Sequence, residues 1–187
     1  MMQKIGGVNI LNLPKKENLS NVFTFGNLIF GVLSILMACE RNFLFSSVFI
    51  LISALFDRYD GRIARYFGVE NTLGKELDSL ADVISFGVAP SVLTFYICNL
   101  ISYSLIGYII TILMPVAGAY RLARYNAFDF NGIFTGVPIT VVGCFMALYY
   151  LIYIFVHAAI MINIIVIAII ICIGSYLMIS NIKLKKI

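Results

Sequence analysis

Six apolar stretches follow one another along the chain, at about residues 20–39, 43–66, 72–98, 102–127, 134–156 and 159–181. A helix needs roughly 20 apolar residues to cross the hydrocarbon core of a bilayer. In lipid, backbone polar groups must be satisfied within the chain, and a helix does this by itself. Six such spans use up nearly all of the 187 residues, of which 61% are hydrophobic and 12% charged, with mean hydropathy +1.00. The expectation is an all-α polytopic membrane protein built as a six-transmembrane-helix bundle. It divides into a short N-terminal cytoplasmic or interfacial segment (1–19), the six-helix domain (20–182) and a basic cytoplasmic tail (183–187). A secreted fold, a disordered chain and a large soluble catalytic domain are excluded.

The basic residues orient the spans. Lys4, Lys15, Lys16, Arg58, Arg62, Arg65, Lys75, Arg121, Arg124, Lys183, Lys185 and Lys186 fall on one side, and Arg41 alone falls on the other. Positively charged loops stay in the cytoplasm, so both termini are expected there. The net charge of +4 reflects the same bias and implies no nucleic-acid partner. No cleavable leader is expected, because a full-length span follows the mixed-charge start and more spans follow it. Cys39, Cys98, Cys144 and Cys172 lie within apolar stretches and form no CxxC pair, so they read as small buried hydrophobes. His157 is the only histidine, which argues against a histidine metal site or a serine–histidine triad.

Acidic groups near a bilayer are costly, so their placement points to function. Six of the nine acidic residues lie between positions 57 and 82. Asp57 and Asp60 are spaced i, i+3 on the second span, and Asp78 and Asp82 are spaced i, i+4 on the third, so each pair shares a helix face. The short connection at 68–71 makes the two spans antiparallel neighbours, which brings four carboxylates together. Such a cluster repels itself at low dielectric and needs cations or protons. Oxygen-only ligands suit a hard divalent ion such as Mg²⁺, Mn²⁺ or Ca²⁺, and two ions would form the clamp used for displacement at phosphorus. Gly61 and Gly74 leave room for a ligand beside the acids, and Arg65 is placed to meet a phosphate. Interfacial ion pairing is the plainer reading of any one Asp–Arg pair, and a cation-conducting site is the competing reading of the whole cluster.

The run Asp57-x₂-Asp60-Gly61-x₂-Ala64-Arg65-x₈-Gly74-x₃-Asp78-x₃-Asp82 resembles the signature of the CDP-alcohol phosphatidyltransferase family at all eight defined positions. The resemblance implies a membrane enzyme, usually homodimeric, that displaces CMP from a CDP-activated lipid with an alcohol. It implies that Asp57, Asp60 and Asp78 bind metal, and that Asp82 is the general base and also contacts the second of two Mg²⁺ or Mn²⁺ ions. The family tends to have Pro-Asn-x-x-Thr at the start of its first span, contacting the nucleotide. Here the match is Asn21-x-x-Thr24, with Ser20 in place of proline. Asn71 and Thr72 fall where the family places a polar nucleotide contact before Gly74, and Asp60, Gly61 and Arg65 would also face the CDP-lipid, CDP-diacylglycerol or an ether-linked relative.

The stretches from Asp78 to Pro90, Arg121-Leu122-Ala123-Arg124-Tyr125-Asn126 and Phe134-Thr135-Gly136-Val137-Pro138 are similar to the branch of the family that uses L-serine. Arg121 and Arg124 suit the carboxylate of such an acceptor, although positive-inside anchoring explains either one alone. A glycerol-phosphate or inositol-phosphate acceptor remains the alternative. Gly87-x-x-Pro90 predicts a kink in the third span or an easing of its packing.

Overall fold

A computed structural model describes residues 15–67, 72–127, 134–156, 164–180 and 183–184. The helices are α1 (Lys15–Cys39), α2 (Phe43–Phe67), α3 (Thr72–Asp82), α4 (Ala89–Ile97), α5 (Ser104–Ala127), α6 (Ile139–Val156) and α7 (Ile164–Ile179). A π segment, Val83–Val88, joins α3 to α4 as one rod, and a 3₁₀ turn, Leu100–Tyr103, leads into α5. Two short strands, β1 (Phe134–Thr135) and β2 (Lys183–Leu184), pair antiparallel, with Phe134 opposite Leu184 and Thr135 opposite Lys183.

The protein is an integral membrane protein. Among the described residues, four helical stretches are long and apolar enough to cross a bilayer: Asn21–Cys39, Leu73–Ile97, Leu100–Ala127 and Ile139–Val156. The other two expected spans are present as helices of a different character. α2 is 25 residues long but ends in the charged run around Asp57–Arg65, and α7 is apolar over 16 described residues. α1 starts at Lys15, five residues before the expected boundary. Residues 1–14 of the expected cytoplasmic or interfacial segment lie outside the described residues, as does His157.

Burial in the bundle follows membrane logic, in which small and polar side chains sit between helices and large apolar ones face outward. The inner stripe of α1 is Thr24, Asn27, Gly31, Ser34 and Ala38, all buried at alternating steps of three and four, while Val22, Phe25, Ile29, Val32 and Leu36 are exposed. α2 answers with buried Ser46, Ile50, Ser53 and Asp60. Ser34 Oγ donates to the Ser46 carbonyl at 2.9 Å, joining the two helices near their connecting turn. That turn is tight, and Arg41 adopts φ 61° to make it. α1 also packs against the α3–π–α4 rod, and α6 packs against α2 and the π segment.

Gly31 and Gly143, neither at GxxxG spacing, lie directly against backbone of the π segment. A Cβ on Gly143 would stand 2.7 Å from the Phe86 carbonyl oxygen, and one on Gly31 would stand 2.9 Å from Ser85 Cα. Where Gly87-x-x-Pro90 predicts a kink or an easing of packing, the structure has the π segment. Pro90 has no N–H for the carbonyl four residues back, and upstream of it the Ala89 N–H bonds five residues back, to the Ile84 carbonyl. Two of the cysteines depart from expectation, since Cys39 and Cys172 are exposed on the bundle surface. A thiol is a small hydrophobe and sits as comfortably against lipid as inside a core.

Candidate active site

One end of the bundle collects the first turns of α1, the last turns of α2, the start of α3 and the end of α5. Asp57 and Asp60, one turn apart on α2, meet Asp78 from α3, and one carboxylate oxygen from each lies within 4.8 Å of the others. These acids line a cavity of about 440 Å³ with Arg58, Gly61 and Arg62. The donor set is oxygen only, and Asp78 Oδ1 is buried without a hydrogen-bond partner among the described residues. An orphaned buried carboxylate oxygen costs several kcal/mol unless something positive faces it. The three acids therefore fit a hard divalent cation.

Asp82 is not one of this tight group, but it sits in side-chain contact with Asp57 and close enough to feel the charges of Asp78 and Asp60. It is only 8% exposed, and its Oδ1 accepts a hydrogen bond of 3.1 Å from Asn27 Nδ2. Thr24 is buried, and its hydroxyl donates to Asp60 Oδ2 at 3.1 Å. α1 thus reaches one acid on each of its two partner helices from adjacent turns of the same stripe.

Arg121 is 6% exposed near the end of α5. Its guanidinium lies over the Tyr125 ring at 4.8 Å, and its Nε has no hydrogen-bond partner among the described residues. Asp82 is within electrostatic reach of it. Arg124 turns elsewhere, donating from Nη1 to the Ile179 carbonyl at the end of α7 (3.1 Å). Asn126 ties α5 to α3 by donating to Glu76 Oε2 at 3.1 Å and to Ser79 Oγ at 3.0 Å.

The remaining expected residues are placed as follows. Asn21 is half-buried on α1, and Gly61 and Gly74 are half-buried on α2 and α3. Arg65 and Thr72 belong to described helix backbone, but their side chains lie outside the description, and Asn71 lies outside the described residues altogether. Sequence reasoning missed Asn27, which holds Asp82, the two serines that meet at Asn27, Ser53 and Ser85, and the cavity-lining Arg58 and Arg62. The available signal was a polar residue in the middle of an apolar span, at the i+3 step from Thr24.

Comparison with known proteins bears on the same residues. The model of the family described as CDP-alcohol phosphatidyltransferase matches residues 17–179. The CDP-diacylglycerol–serine O-phosphatidyltransferase of Bacillus subtilis strain 168 is 33% identical over 163 residues, which cover 87% of this chain and 86% of that protein. The enzyme of the same name from Helicobacter pylori strain J99 is 38% identical over 106 residues, 57% of this chain and 44% of its own length. The archaetidylserine synthase of Methanothermobacter thermautotrophicus is 36% identical over 124 residues, covering 65% and 52%. The chain thus spans less than half the length of the Helicobacter relative and most of the Bacillus one.

Proposed function

The chain belongs to the CDP-alcohol phosphatidyltransferase family, and from that premise we propose that it transfers a phosphatidyl-type group from a CDP-activated lipid to the hydroxyl of L-serine, releasing CMP. The observation that carries this reading is the convergence of Asp57, Asp60 and Asp78 on one cavity, with Asp82 held beside them. The serine acceptor is supported by the names of the Bacillus, Helicobacter and Methanothermobacter relatives and by Arg121, a buried cation with a donor to spare.

Asp57, Asp60 and Asp78 would hold the metal, with Asp82 contributing to the second of two ions. When bound there, Mg²⁺ or Mn²⁺ supplies the positive charge that holds the diphosphate and stabilises the charge building on it. Arg58 and Arg62 line the same cavity and add positive charge beside the diphosphate, together with Arg65. Asn21, Thr24, Gly61, Asn71, Thr72 and Gly74 form the nucleotide side of the CDP-lipid site. Arg121 receives the serine carboxylate, and Arg124 braces the end of α7 behind it. The serine hydroxyl oxygen bonds to the lipid-linked phosphorus, and the bond from that phosphorus to the bridging oxygen of the CMP half breaks. The hydroxyl proton passes to Asp82, which acts as general base.

The distribution of Lys and Arg supports a site and termini facing the cytoplasm, where serine and CMP are soluble. The working assembly is the homodimer usual in the family. The testing experiment supplies purified protein with CDP-diacylglycerol, a divalent metal and each candidate alcohol in turn, and follows CMP. Release with serine is expected. No release with any alcohol overturns the reading, and release only with glycerol 3-phosphate or inositol phosphate overturns the serine assignment.

A further inference from the structure

We propose that Asn27 is a positioning residue for the reaction, holding Asp82 in one orientation through a buried three-helix network; this rests on the reading of Asp82 as the base. Asn27 is completely buried in the middle of α1. Its Nδ2 donates to Asp82 Oδ1 at 3.1 Å, and its Oδ1 accepts from Ser53 Oγ of α2 at 2.6 Å. Ser53 Oγ also lies 2.7 Å from the Asn27 carbonyl oxygen, which accepts in addition from Ser85 Oγ of the π segment at 3.0 Å.

The direction of each bond matters. An amide has one donor end and one acceptor end, and Ser53 engages the acceptor end. A flipped amide would put its oxygen against the Asp82 carboxylate, acceptor against acceptor, and leave its NH₂ group facing the hydroxyl. A hydroxyl can accept as well as donate, so the acceptor-only carboxylate of Asp82 is what rejects the flipped amide, while Ser53 braces its oxygen end; the braced amide in turn holds the carboxylate. Ser85 fixes the α1 backbone from which Asn27 projects, and Gly31 makes room for it, since any Cβ there would collide with Ser85 Oγ. With Oδ1 held by Asn27, it is Oδ2 that takes the acceptor's proton. Asn27 is neutral, so it fixes this geometry without cancelling the charge that makes Asp82 basic. A lysine or arginine in its place would hold the carboxylate but weaken it as a base.

The test compares Asn27→Leu and Ser53→Ala with the unaltered chain in CMP release, measuring kcat and KM for the CDP-lipid and for serine, alongside the thermal midpoint in detergent. Loss of a group that orients a reacting or ligating side chain costs about 10- to 100-fold in activity. Asn27→Leu is expected to lower kcat by that factor with both KM values within about twofold of the unaltered chain. Ser53→Ala, which keeps the amide but removes its brace, is expected to give a smaller fall of the same kind at a near-normal thermal midpoint. Unchanged kcat in both variants overturns the inference, and so does a rise in KM for the CDP-lipid at unchanged kcat, which would make Asn27 a nucleotide contact. Should Asn27→Leu fail to fold, Ser53→Ala decides alone. A lack of CMP release by the unaltered chain would overturn the underlying reading itself.

Discussion

Thr24 donates its hydroxyl hydrogen to Asp60 across 36 positions of sequence, joining the first turns of α1 to the last turns of α2 at 3.1 Å. The carboxylate that it holds belongs to the three-acid group facing the cavity. Outer partners of this kind orient ligating carboxylates. Thr24→Val keeps the shape of the side chain and removes the donor. The metal concentration giving half-maximal CMP release is expected to rise about 10-fold or more, with saturating metal restoring most of the rate.

Removal of the metal is the broader form of that experiment. Chelation should abolish CMP release, and added Mg²⁺ or Mn²⁺ should restore it. Asp57→Asn, Asp60→Asn and Asp78→Asn should each leave an enzyme that added metal cannot rescue, because each change deletes one charged ligand of three.

Asp82→Asn separates chemistry from binding. The variant is expected to lose turnover by about 10²- to 10⁴-fold, the range for loss of a general base, while CDP-lipid binding measured by calorimetry stays nearly intact. Normal turnover by this variant would remove Asp82 from its assigned role.

The two arginines of α5 should part company. Arg121 is buried with a spare donor, whereas Arg124 is committed to the Ile179 carbonyl. A charged hydrogen bond contributes about 1.5–3 kcal/mol, so Arg121→Lys should raise KM for serine about 10-fold or more. Arg124→Lys should change it little and should instead lower the thermal midpoint in detergent.

Two glycines provide a packing test away from the chemistry. A Cβ at position 143 meets the Phe86 backbone at 2.7–2.8 Å, but one at position 174 meets only the Val142 Cγ1 methyl at 3.1 Å. Backbone cannot step aside, and a side chain can. Gly143→Ala is expected to destabilise by about 1–3 kcal/mol, and Gly174→Ala by less, as read from thermal midpoints in matched detergent.

The helices and the acid cluster were legible in the sequence for a physical reason, although among the described residues only four helical stretches are long and apolar enough to cross a bilayer. Lipid imposes a length on every crossing helix, and charge is so costly there that Asp57, Asp60, Asp78 and Asp82 stand out against the apolar background. The helix-face spacing then brought Asp57, Asp60 and Asp78 together correctly. The tie between Asp82 and Asn27 was hidden, because the two lie 55 positions apart and the i+3 step from Thr24 to Asn27 marks a shared face of α1 without saying what that face meets. Lys15 and Lys16 are good helix formers, and α1 runs through them ahead of its apolar stretch. Arg121 and Arg124 look alike in sequence, and only packing tells the buried one from the one that braces α7.

The π turn over Val83–Val88 works as a phase adjuster. One residue added to an α-helical repeat swings whatever follows by about 100°. The rod therefore carries two independently phased surfaces, with Asp78 lining the cavity and Asp82 meeting Asn27 before the turn, and Ala89, Pro90 and Leu93 buried in the bundle after it. In a uniform α-helix, aiming the acids would dictate which downstream residues faced the core. Here the dial between the two halves lets the reactive face be set without disturbing the scaffold. Deleting a single residue from this turn would accordingly damage the protein more than most substitutions within it.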